Sequence, residues 1–306
     1  MFHFIIRRII FAIPALIGVS IVVFLMLHAT PGDPAQVVAG PEATAADIEN
    51  VRKSLGLDRP IVEQYLHFVG RAVTGDFGVS FKTGRTVVEE IGHRYLNTLQ
   101  LAGAAMLFAV VVGIVSGVLC AAFKYRALDN IILVLSLIGI SAPAFFVGLV
   151  LMIVFSVQLG WLPLTGNDSW LHLILPCVTL GLANAAIIAR VMRARLIETL
   201  DSDYVRTAYA KGLSGFRVIT RHGLRNALMP VITVVGLQMG YLLGGAVITE
   251  TVFSWPGLGR LIIQSISSRD LPLVQASVLL IAVTFVIINL LTDLLYGLVD
   301  PRVEVA

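Results

Sequence analysis

Residues 99–123, LQLAGAAMLFAVVVGIVSGVLCAAF, form an apolar run in which none of the 25 side chains is charged. As an α-helix, such a run is about 37 Å long, enough to cross the hydrocarbon core of a bilayer. The whole 306-residue chain has the same character: 57% of its residues are hydrophobic and 13% are charged, against about 25% charged in soluble domains. The composition predicts an all-α integral membrane protein.

Five further apolar runs lie on either side of this stretch. They cover residues 9–29, 131–159, 171–188, 229–252 and 276–299. The first follows Arg7 and Arg8, as in a signal peptide, but its 21 residues, roughly 31 Å of helix, are longer than a signal-peptide apolar region. The run 131–159 is interrupted near Pro143. We therefore predict six transmembrane helices, the first of them retained.

The positively charged residues give the orientation. If the N-terminus is cytoplasmic, 13 of the 22 Lys and Arg lie in cytoplasmic segments, and the two short outer loops carry only Arg260 and Arg269. The other seven lie in segment 31–96, which is long enough to be exempt from the positive-inside rule. Both termini are therefore predicted to be cytoplasmic.

The long segment between the first two runs is predicted to be an extracytoplasmic helical insert. Thr44 and Asp47 are spaced as a capping box at the start of one helix, and Gly56 is placed to end it. The insert is either a small cap packed on the membrane domain or a docking or gating surface. The predicted domains are a first transmembrane helix over residues 1–30, the insert over 31–96 and a core membrane domain with five transmembrane helices over 97–306.

Glycines recur at helical spacing within two of the runs. They are Gly113 and Gly117 in one run and Gly236, Gly240 and Gly244 in the other. Small residues on one face allow neighbouring helices to approach closely. We interpret these faces as packing surfaces; the alternative is that the second face lines a transport pathway.

The sequence carries no enzyme signature. It lacks HExxH, GxSxG and the phosphate loop GxxxxGK[ST], so the chain is not expected to be an enzyme or to bind ATP through such a loop. Its six histidines lack metal-ligand spacing, and Cys120 and Cys177 lie in apolar runs, so no metal or cofactor is predicted. His28 is interpreted as an interfacial residue, with nickel handling as a less favoured alternative.

The few polar side chains inside the runs are the candidates for lining a pathway. They are Ser141, Asn184, Gln238, Asn289 and Asp293, with Ser136 as a further candidate. Asp293 follows Asn289 by one helical turn and either pairs with a cytoplasmic arginine or has a proton-relay or substrate role. A proton-driven carrier would have more ionisable groups in its spans, so the scarcity predicts that energy enters elsewhere.

Residues 189–228 hold eight of the 22 Lys and Arg and are predicted to be a cytoplasmic loop with internal structure. Asp201 or Ser202 can cap a helix that Gly212 ends in a left-handed conformation, and a second helix begins near Ser214. Such a compact element could transmit force from a moving partner. Attraction of a basic face to anionic lipid would explain the charges, but neither the glycine nor the aromatic residues among them.

Part of this loop resembles a known family. The run DYVRTAYAKG at residues 203–212, followed by RHGLRNALMP at 221–230, is similar to the EAA loop of binding-protein-dependent ABC importer permeases, in the dipeptide, oligopeptide and nickel branch. Arg206, Thr207 and Ala208 stand where the general motif has Glu and two Ala, with Gly212 in register, and the distance from glycine to proline is longer. Both departures are typical of that branch.

The resemblance extends over nearly the whole chain. Further segments similar to the branch are HATPGDP at residues 28–34, GDFGVS at 75–80, ETVFSWPGLGR at 250–260 and RDLP at 269–272. The segment GWLPLTGNDSW at 160–170 is most similar to glutathione-importing permeases. The resemblance implies the six-helix fold of a type I ABC importer permease, with an extracytoplasmic helical insert between the first two transmembrane helices.

The resemblance also implies partners, site residues and a substrate class. The partners would be a homologous second permease, two ABC ATPases below the membrane and an extracytoplasmic solute-binding protein, together with membrane lipid and no nucleic acid. The residues that couple the permease to an ATPase would be Arg206, Thr207, Ala208, Lys211 and Gly212. The substrate would be a short peptide, glutathione included, with a nickel chelate as the alternative.

Two other functional classes are weighed against this interpretation. A stand-alone secondary carrier would work without an ATPase and respond to a proton gradient. A membrane-embedded enzyme would need a catalytic constellation, which the sequence does not offer. The expected location is the bacterial inner membrane.

Overall fold

A computed structural model describes residues 2–29, 33–40, 42–54 and 56–299, and their regular secondary structure is helical apart from one isolated bridge between Val79 and Thr86. The helices are α1 Phe2–Ala29, α2 Pro34–Ala39, α3 Ala45–Ser54, α4 Ile61–Val73, α5 Val87–Ala122, α6 Ala127–Ser141, α7 Ala144–Leu151, α8 Leu171–Leu200, α9 Asp203–Ala210, α10 Gly215–Arg217, α11 Leu224–Val252, α12 Leu258–Ser267 and α13 Leu271–Val299. Two π-helical segments are present: Met152–Gln158 prolongs α7, and Val218–Gly223 joins α10 to α11.

Several of these helices are long and apolar enough to cross a membrane. Within the described residues they are Val87–Ala122, Leu171–Leu200, Gly215–Val252 and Leu271–Leu294, to which the bent pair α6–α7 can add a fifth span. α1 contains a shorter apolar stretch, Ile10–Met26. The all-α membrane fold is therefore confirmed, while the count of six spans stays a prediction.

The run 131–159 is broken more sharply than its sequence indicates. Ala127–Ser141 and Ala144–Gln158 meet at an angle of 109°. Ala142 is extended, with φ −76° and ψ 128°, because the ring of Pro143 disfavours the helical conformation of the preceding residue. Pro143 is the N-cap of α7, where its missing N–H breaks no helical hydrogen bond.

The loop predicted over residues 189–228 is largely helical. α8 continues past residue 188 to Leu200, and α11 begins at Leu224, directly after the π-helical segment. Between Leu171 and Val252, only residues 201–202 and 211–214 lie outside helices. The predicted boundary at 188 is wrong because it marks the end of the apolar run, and charged side chains that reach solvent do not end a helix.

The described residues form two compact units. One comprises Thr98–Pro256 with α13 from Ile287 onward, and the other comprises Ile6–Asn97 with Gly257–Val286. The first has a core built on α5, α8 and α11, including the fully buried Leu101 and Ile188. The division into domains 1–30, 31–96 and 97–306 stays a prediction.

The insert has the local structure that its sequence predicts. The Thr44 N–H donates to Asp47 Oδ2 at 3.0 Å, and the Asp47 N–H donates to Thr44 Oγ1 at 3.3 Å, so the capping box is reciprocal. The Thr44 hydroxyl and N–H together hold the pKa of Asp47 below its usual range. Gly56 is left-handed, with φ +68°, just beyond α3.

Glycines allow α5 and α8 to pack backbone to backbone. A Cβ on Gly113 would lie 2.7 Å from the Ile188 side chain, and one on Gly117 would lie 2.6 Å from that of Met192. A Cβ on Gly236 would meet the Thr292 side chain at 1.8 Å, whereas one on Gly244 would meet nothing within 4 Å. The packing interpretation is therefore confirmed for Gly113, Gly117 and Gly236 and not for Gly244, while Gly240 is buried.

Substitution of Gly117 by Ala is expected to destabilise the protein by about 1–3 kcal/mol, because the added methyl group overlaps Met192 and the Ala189 carbonyl. Gly103→Ala in the same helix is the matched control, since its Cβ would meet nothing within 4 Å. The control should be neutral or stabilised by about 1 kcal/mol through helix propensity. Thermal unfolding midpoints in detergent check this prediction, and equal midpoints for the two variants would contradict it.

Candidate functional site

The segment predicted to couple the chain to a partner is a short helix between two turns. Ser202 is the N-cap of α9, Lys211 follows the helix and Gly212 has φ +80°. A left-handed conformation is readily available to glycine but strained for most other residues. The predicted helix, glycine turn and second helix are therefore confirmed as structure, and their function is a separate question.

One side of α9 is fixed to the rest of the unit. Val205 and Ala208 are buried against Val218 of the π-helical segment, with Leu200 and Leu213 packed beside them. This apolar cluster fixes the orientation of α9 relative to the end of α8 and the π-helical segment.

Tyr204 adds a polar attachment on the same helix. Its hydroxyl donates to the His222 carbonyl at 3.3 Å and accepts from Asn226 Nδ2 at 2.7 Å. His222 lies in the π-helical segment before α11, and Asn226 lies in the first turn of α11. α9 is thus held at two points to the start of a predicted span.

The other side of α9 and of its turn is exposed. We call this surface the coupling face, and it comprises Arg206, Thr207, Tyr209, Lys211, Gly212 and Phe216. Phe216 is 81% exposed and Tyr209 is 48% exposed, so this face carries aromatic as well as basic side chains. Four of the five predicted coupling residues therefore lie at the surface, and the fifth, Ala208, is in the supporting cluster.

The charges of the coupling face are only weakly engaged within the chain. Arg206 Nη1 lies 3.4 Å from Asp203 Oδ1, with the two side chains 74% and 97% exposed. An ion pair this exposed contributes little, so the guanidinium can exchange it for an acidic group on a partner. No ion pair of Lys211 is found in the part of the chain that the structure describes.

The predicted pathway residues are only partly brought together. Gln238 Nε2 donates to Asn184 Oδ1 at 2.7 Å, and Asn184 Nδ2 donates to the Leu180 carbonyl at 3.0 Å, so α8 and α11 share an amide pair in which Asn184 is buried and Gln238 is half-buried. Within the described residues, Ser141 and Asn289 make no hydrogen bond to this pair; Ser141 is exposed and Asn289 is half-buried. Asp293 is half-buried on α13, one turn beyond Asn289.

Sequence reasoning missed an ion pair inside the first unit. Asp129, 1% exposed, accepts from Arg193 Nε and Nη2, each at 2.7 Å. The sequence identifies Arg193 only as a cytoplasmic charge, and Asp129 precedes the apolar run 131–159. The sequence does contain a signal for this pair: Asp129 lies directly before one predicted span, and several arginines follow another span. An acidic residue in that position is a candidate partner for one of them.

A second buried carboxylate, Glu250, is the first residue of the motif ETVFSWPGLGR at residues 250–260. Glu250 is 0% exposed near the end of α11, and Thr98 Oγ1 of α5 donates to its Oε1 at 2.6 Å. A buried carboxylate needs such donors because desolvation is unfavourable for the charge. The segment ETVFSWPGLGR therefore includes a residue that links two helices.

A third carboxylate, Asp270 of the motif RDLP at residues 269–272, holds a turn of the insert. It is 1% exposed and accepts from the Ser80 hydroxyl, the Phe81 N–H at 3.1 Å and the Lys82 N–H at 3.4 Å. These donors belong to one turn, which is therefore fixed to the segment between α12 and α13.

Asp76 of the insert is exposed, unlike Asp270, and contacts a guanidinium and one backbone N–H. Arg71 Nε lies 2.9 Å from Asp76 Oδ2, and the Gly78 N–H donates to Asp76 Oδ1 at 3.0 Å. The Arg71 guanidinium, followed by this N–H, holds the pKa of Asp76 below its usual range.

The described residues contain no group of three His, Cys, Asp or Glu side chains that could hold a metal ion. The side chain of His28 lies outside the described residues.

Comparison with known proteins places this geometry in context. Residues 109–305 match the family described as binding-protein-dependent transport system inner membrane component, and residues 1–102 match the N-terminal family of such components. The chain is 48% identical over 304 residues to the glutathione transport system permease protein GsiC of Escherichia coli K12, covering 99% of each chain. GsiC of Shigella dysenteriae serotype 1 is equally similar.

Solved structures show a similar fold at lower identity. An inward-facing structure of the MetNI methionine ABC transporter superposes with a TM-score of 0.55 and 19% identity, covering 69% of this chain and 96% of that one. A second crystal form of the same transporter gives a TM-score of 0.56 and 21% identity, with 67% and 94% covered.

Proposed function

Because the chain belongs to the family of binding-protein-dependent transport system inner membrane components, we propose that it is a permease subunit of an ATP-driven importer of short peptides, glutathione included. The observation that carries this proposal is the coupling face: an exposed basic and aromatic surface on a short helix that is fixed to two predicted spans. This is the geometry that a separate motor requires in order to move a membrane domain.

The chain's contribution is transport, and ATP hydrolysis takes place on other subunits. The absence of a phosphate loop from the sequence supports this division. Two ABC ATPases dock from the cytoplasm, one of them on Arg206, Thr207, Lys211 and Gly212, with Ala208 supporting the helix from behind. A homologous second permease completes the membrane domain.

The orientation follows from the positive charges. With both termini cytoplasmic, the coupling face lies on the cytoplasmic side and the insert, residues 31–96, on the outer side. An extracytoplasmic solute-binding protein delivers substrate there. The chain is a multi-pass protein of the bacterial inner membrane, in contact with lipid along its apolar helices.

The mechanism is alternating access. ATP binding closes the ATPase pair and displaces α9, and its attachments through Val205, Ala208 and Tyr204 transmit the displacement to α8 and α11. Those two helices also share the partly buried Asn184–Gln238 hydrogen bond, so a change in their relative position alters this polar contact. Asn184 and Gln238, together with Ser141, Asn289 and Asp293, are the candidates for groups that peptide polar atoms meet on the way through.

The substrate class is inferred from the relatives named as glutathione permeases. A tripeptide offers amides and carboxylates but needs no metal site in the membrane, which agrees with the few polar side chains in the spans. A nickel chelate is the competing cargo of the same branch.

Reconstitution of the complete transporter in liposomes tests the proposal. With ATP on the cytoplasmic face and the binding protein outside, labelled glutathione should accumulate, unlabelled short peptides should compete, and collapse of a proton gradient should have no effect. Uptake that persists without the ATPases would identify a secondary carrier, and accumulation of a nickel chelate but not of peptides would identify the alternative cargo.

A further inference from the structure

Asp129 is the centre of a junction between three helical segments. Its carboxylate accepts hydrogen bonds from Nε and Nη2 of Arg193 in α8, at 2.7 Å each. It also accepts one from the Tyr125 N–H in the turn after α5, at 3.0 Å. The residue itself lies in the first turn of α6. One side chain therefore joins the end of α5, the start of α6 and the cytoplasmic part of α8.

An ion pair at this junction is better suited to fixing the relative position of two helices than to stabilising their association. Removing two charges from water is unfavourable, and a pair of apolar residues of similar volume would hold the helices together as well or better. A bidentate pair differs from apolar packing because it fixes the distance and the relative angle of its two helices. This doubly bonded pair joins the buried Asp129 carboxylate to a guanidinium that is 22% exposed, and it is thus suited to transmitting position.

The junction lies close to the coupling face along a continuous helix. α8 runs without interruption to Leu200, so Arg193 is seven residues, about 10 Å, from its end. Only residues 201 and 202 separate α8 from α9. Because the connection is short and this part of α8 is a continuous helix, a displacement of α9 is transmitted to Arg193.

The far end of α6 has a place where motion can be taken up. Ala142 and Pro143 interrupt the helix, and the segments on either side form an angle of 109°. Short breaks between helices are where hinge movements concentrate. α6 can therefore follow α8 and change its angle to α7 without melting a helix.

We propose that Asp129 and Arg193 are positioning residues of the transport cycle, which make α6 and the turn after α5 move with α8 when the coupling face is displaced. This inference rests on the proposed function. Neither residue needs to touch the ATPase or the substrate.

The test uses the complete transporter in liposomes, with transported glutathione and hydrolysed ATP measured on the same sample. Asp129→Asn and Arg193→Gln each remove the ion pair. Arg193→Lys keeps the positive charge but cannot make the bidentate hydrogen bond. The double variant with Asp129→Arg and Arg193→Asp exchanges the two charges. Arg195→Gln is the matched control, because Arg195 lies two residues away on α8 and makes an exposed pair with Glu198 at 2.9 Å.

The expected result is that the two neutralised variants still assemble and hydrolyse ATP, while glutathione transported per ATP falls about tenfold. Arg193→Lys should be intermediate, the reversed pair should recover part of the ratio, and Arg195→Gln should match the wild type. An unchanged ratio in both neutralised variants would overturn the inference, as would a loss of transport fully explained by less assembled protein. If the wild-type complex itself does not couple ATP to uptake, it is the proposed function that fails.

Discussion

Replacement of Gly212 by Asp is expected to reduce ATP-driven uptake about a hundredfold or more while leaving the protein inserted in the membrane. Gly212 is left-handed, at φ +80°, and a Cβ built on it meets nothing within 4 Å. The new side chain therefore has room, and the backbone strain is about 1–2 kcal/mol. A carboxylate buried without a partner against an ATPase would weaken docking by about 3–5 kcal/mol, which gives the expected loss.

The variant Gly212→Asn tests whether the loss of uptake comes from the new charge or from the change in backbone conformation at position 212. Asn has the shape of Asp, tolerates the left-handed region and carries no charge. Uptake by the Asn variant should stay within about tenfold of the wild type, because only the strain and the added volume remain. ATP-dependent uptake per inserted protein is the measurement. Equal activities of the two variants would mean that the site is sensitive to shape alone and that the docking surface is elsewhere.

Substitution of Asp270 by Ala is expected to release the turn of the insert that contains Ser80. The Phe81 and Lys82 N–H groups and the Ser80 hydroxyl lose a common acceptor. The Ser80 hydroxyl is buried, whereas Phe81 is half-buried and Lys82 is exposed. A buried donor without an acceptor costs about 1–3 kcal/mol, so local stability should fall by about that amount. Hydrogen exchange at Phe81 should then accelerate about tenfold or more.

The matched control for this variant is Asp76→Ala. Asp76 also accepts from a backbone N–H in the insert and pairs with Arg71, but its side chain is 59% exposed. Exposed pairs contribute about 1 kcal/mol or less, and water can replace the carboxylate. Exchange at Phe81 that is equally fast in both variants would show that burial of Asp270 does not stabilise the turn.

Local features of this protein could be predicted from its sequence because their causes are local. The apolar runs follow from composition, the Thr44–Asp47 cap from a spacing of three residues, and the left-handed turn from the conformational freedom of Gly212. The same local reasoning failed at residue 188, where the apolar run ends but the helix continues.

The long-range contacts could not be predicted, because no local pattern states which helices are neighbours. Asp129 and Arg193 are 64 positions apart, and Asn184 and Gln238 are 54 apart. The sequence identifies Asn184 and Gln238 as polar residues within apolar runs, but their hydrogen bond to each other depends on the packing of α8 against α11. Ala208 was predicted to be a coupling residue and proved to be buried, since helical phase relative to a partner helix decides which side is covered.

The most direct test of the coupling face is photo-cross-linking in membranes that contain the whole transporter. A cross-linkable residue at position 211 should attach to an ATPase subunit, and the yield should fall when Gly212→Asp is introduced in the same chain. The same residue at position 82, in the insert, should not reach the ATPase. Attachment of the ATPase from position 82, or none from position 211 in a complex that retains its ATPases, would contradict the account.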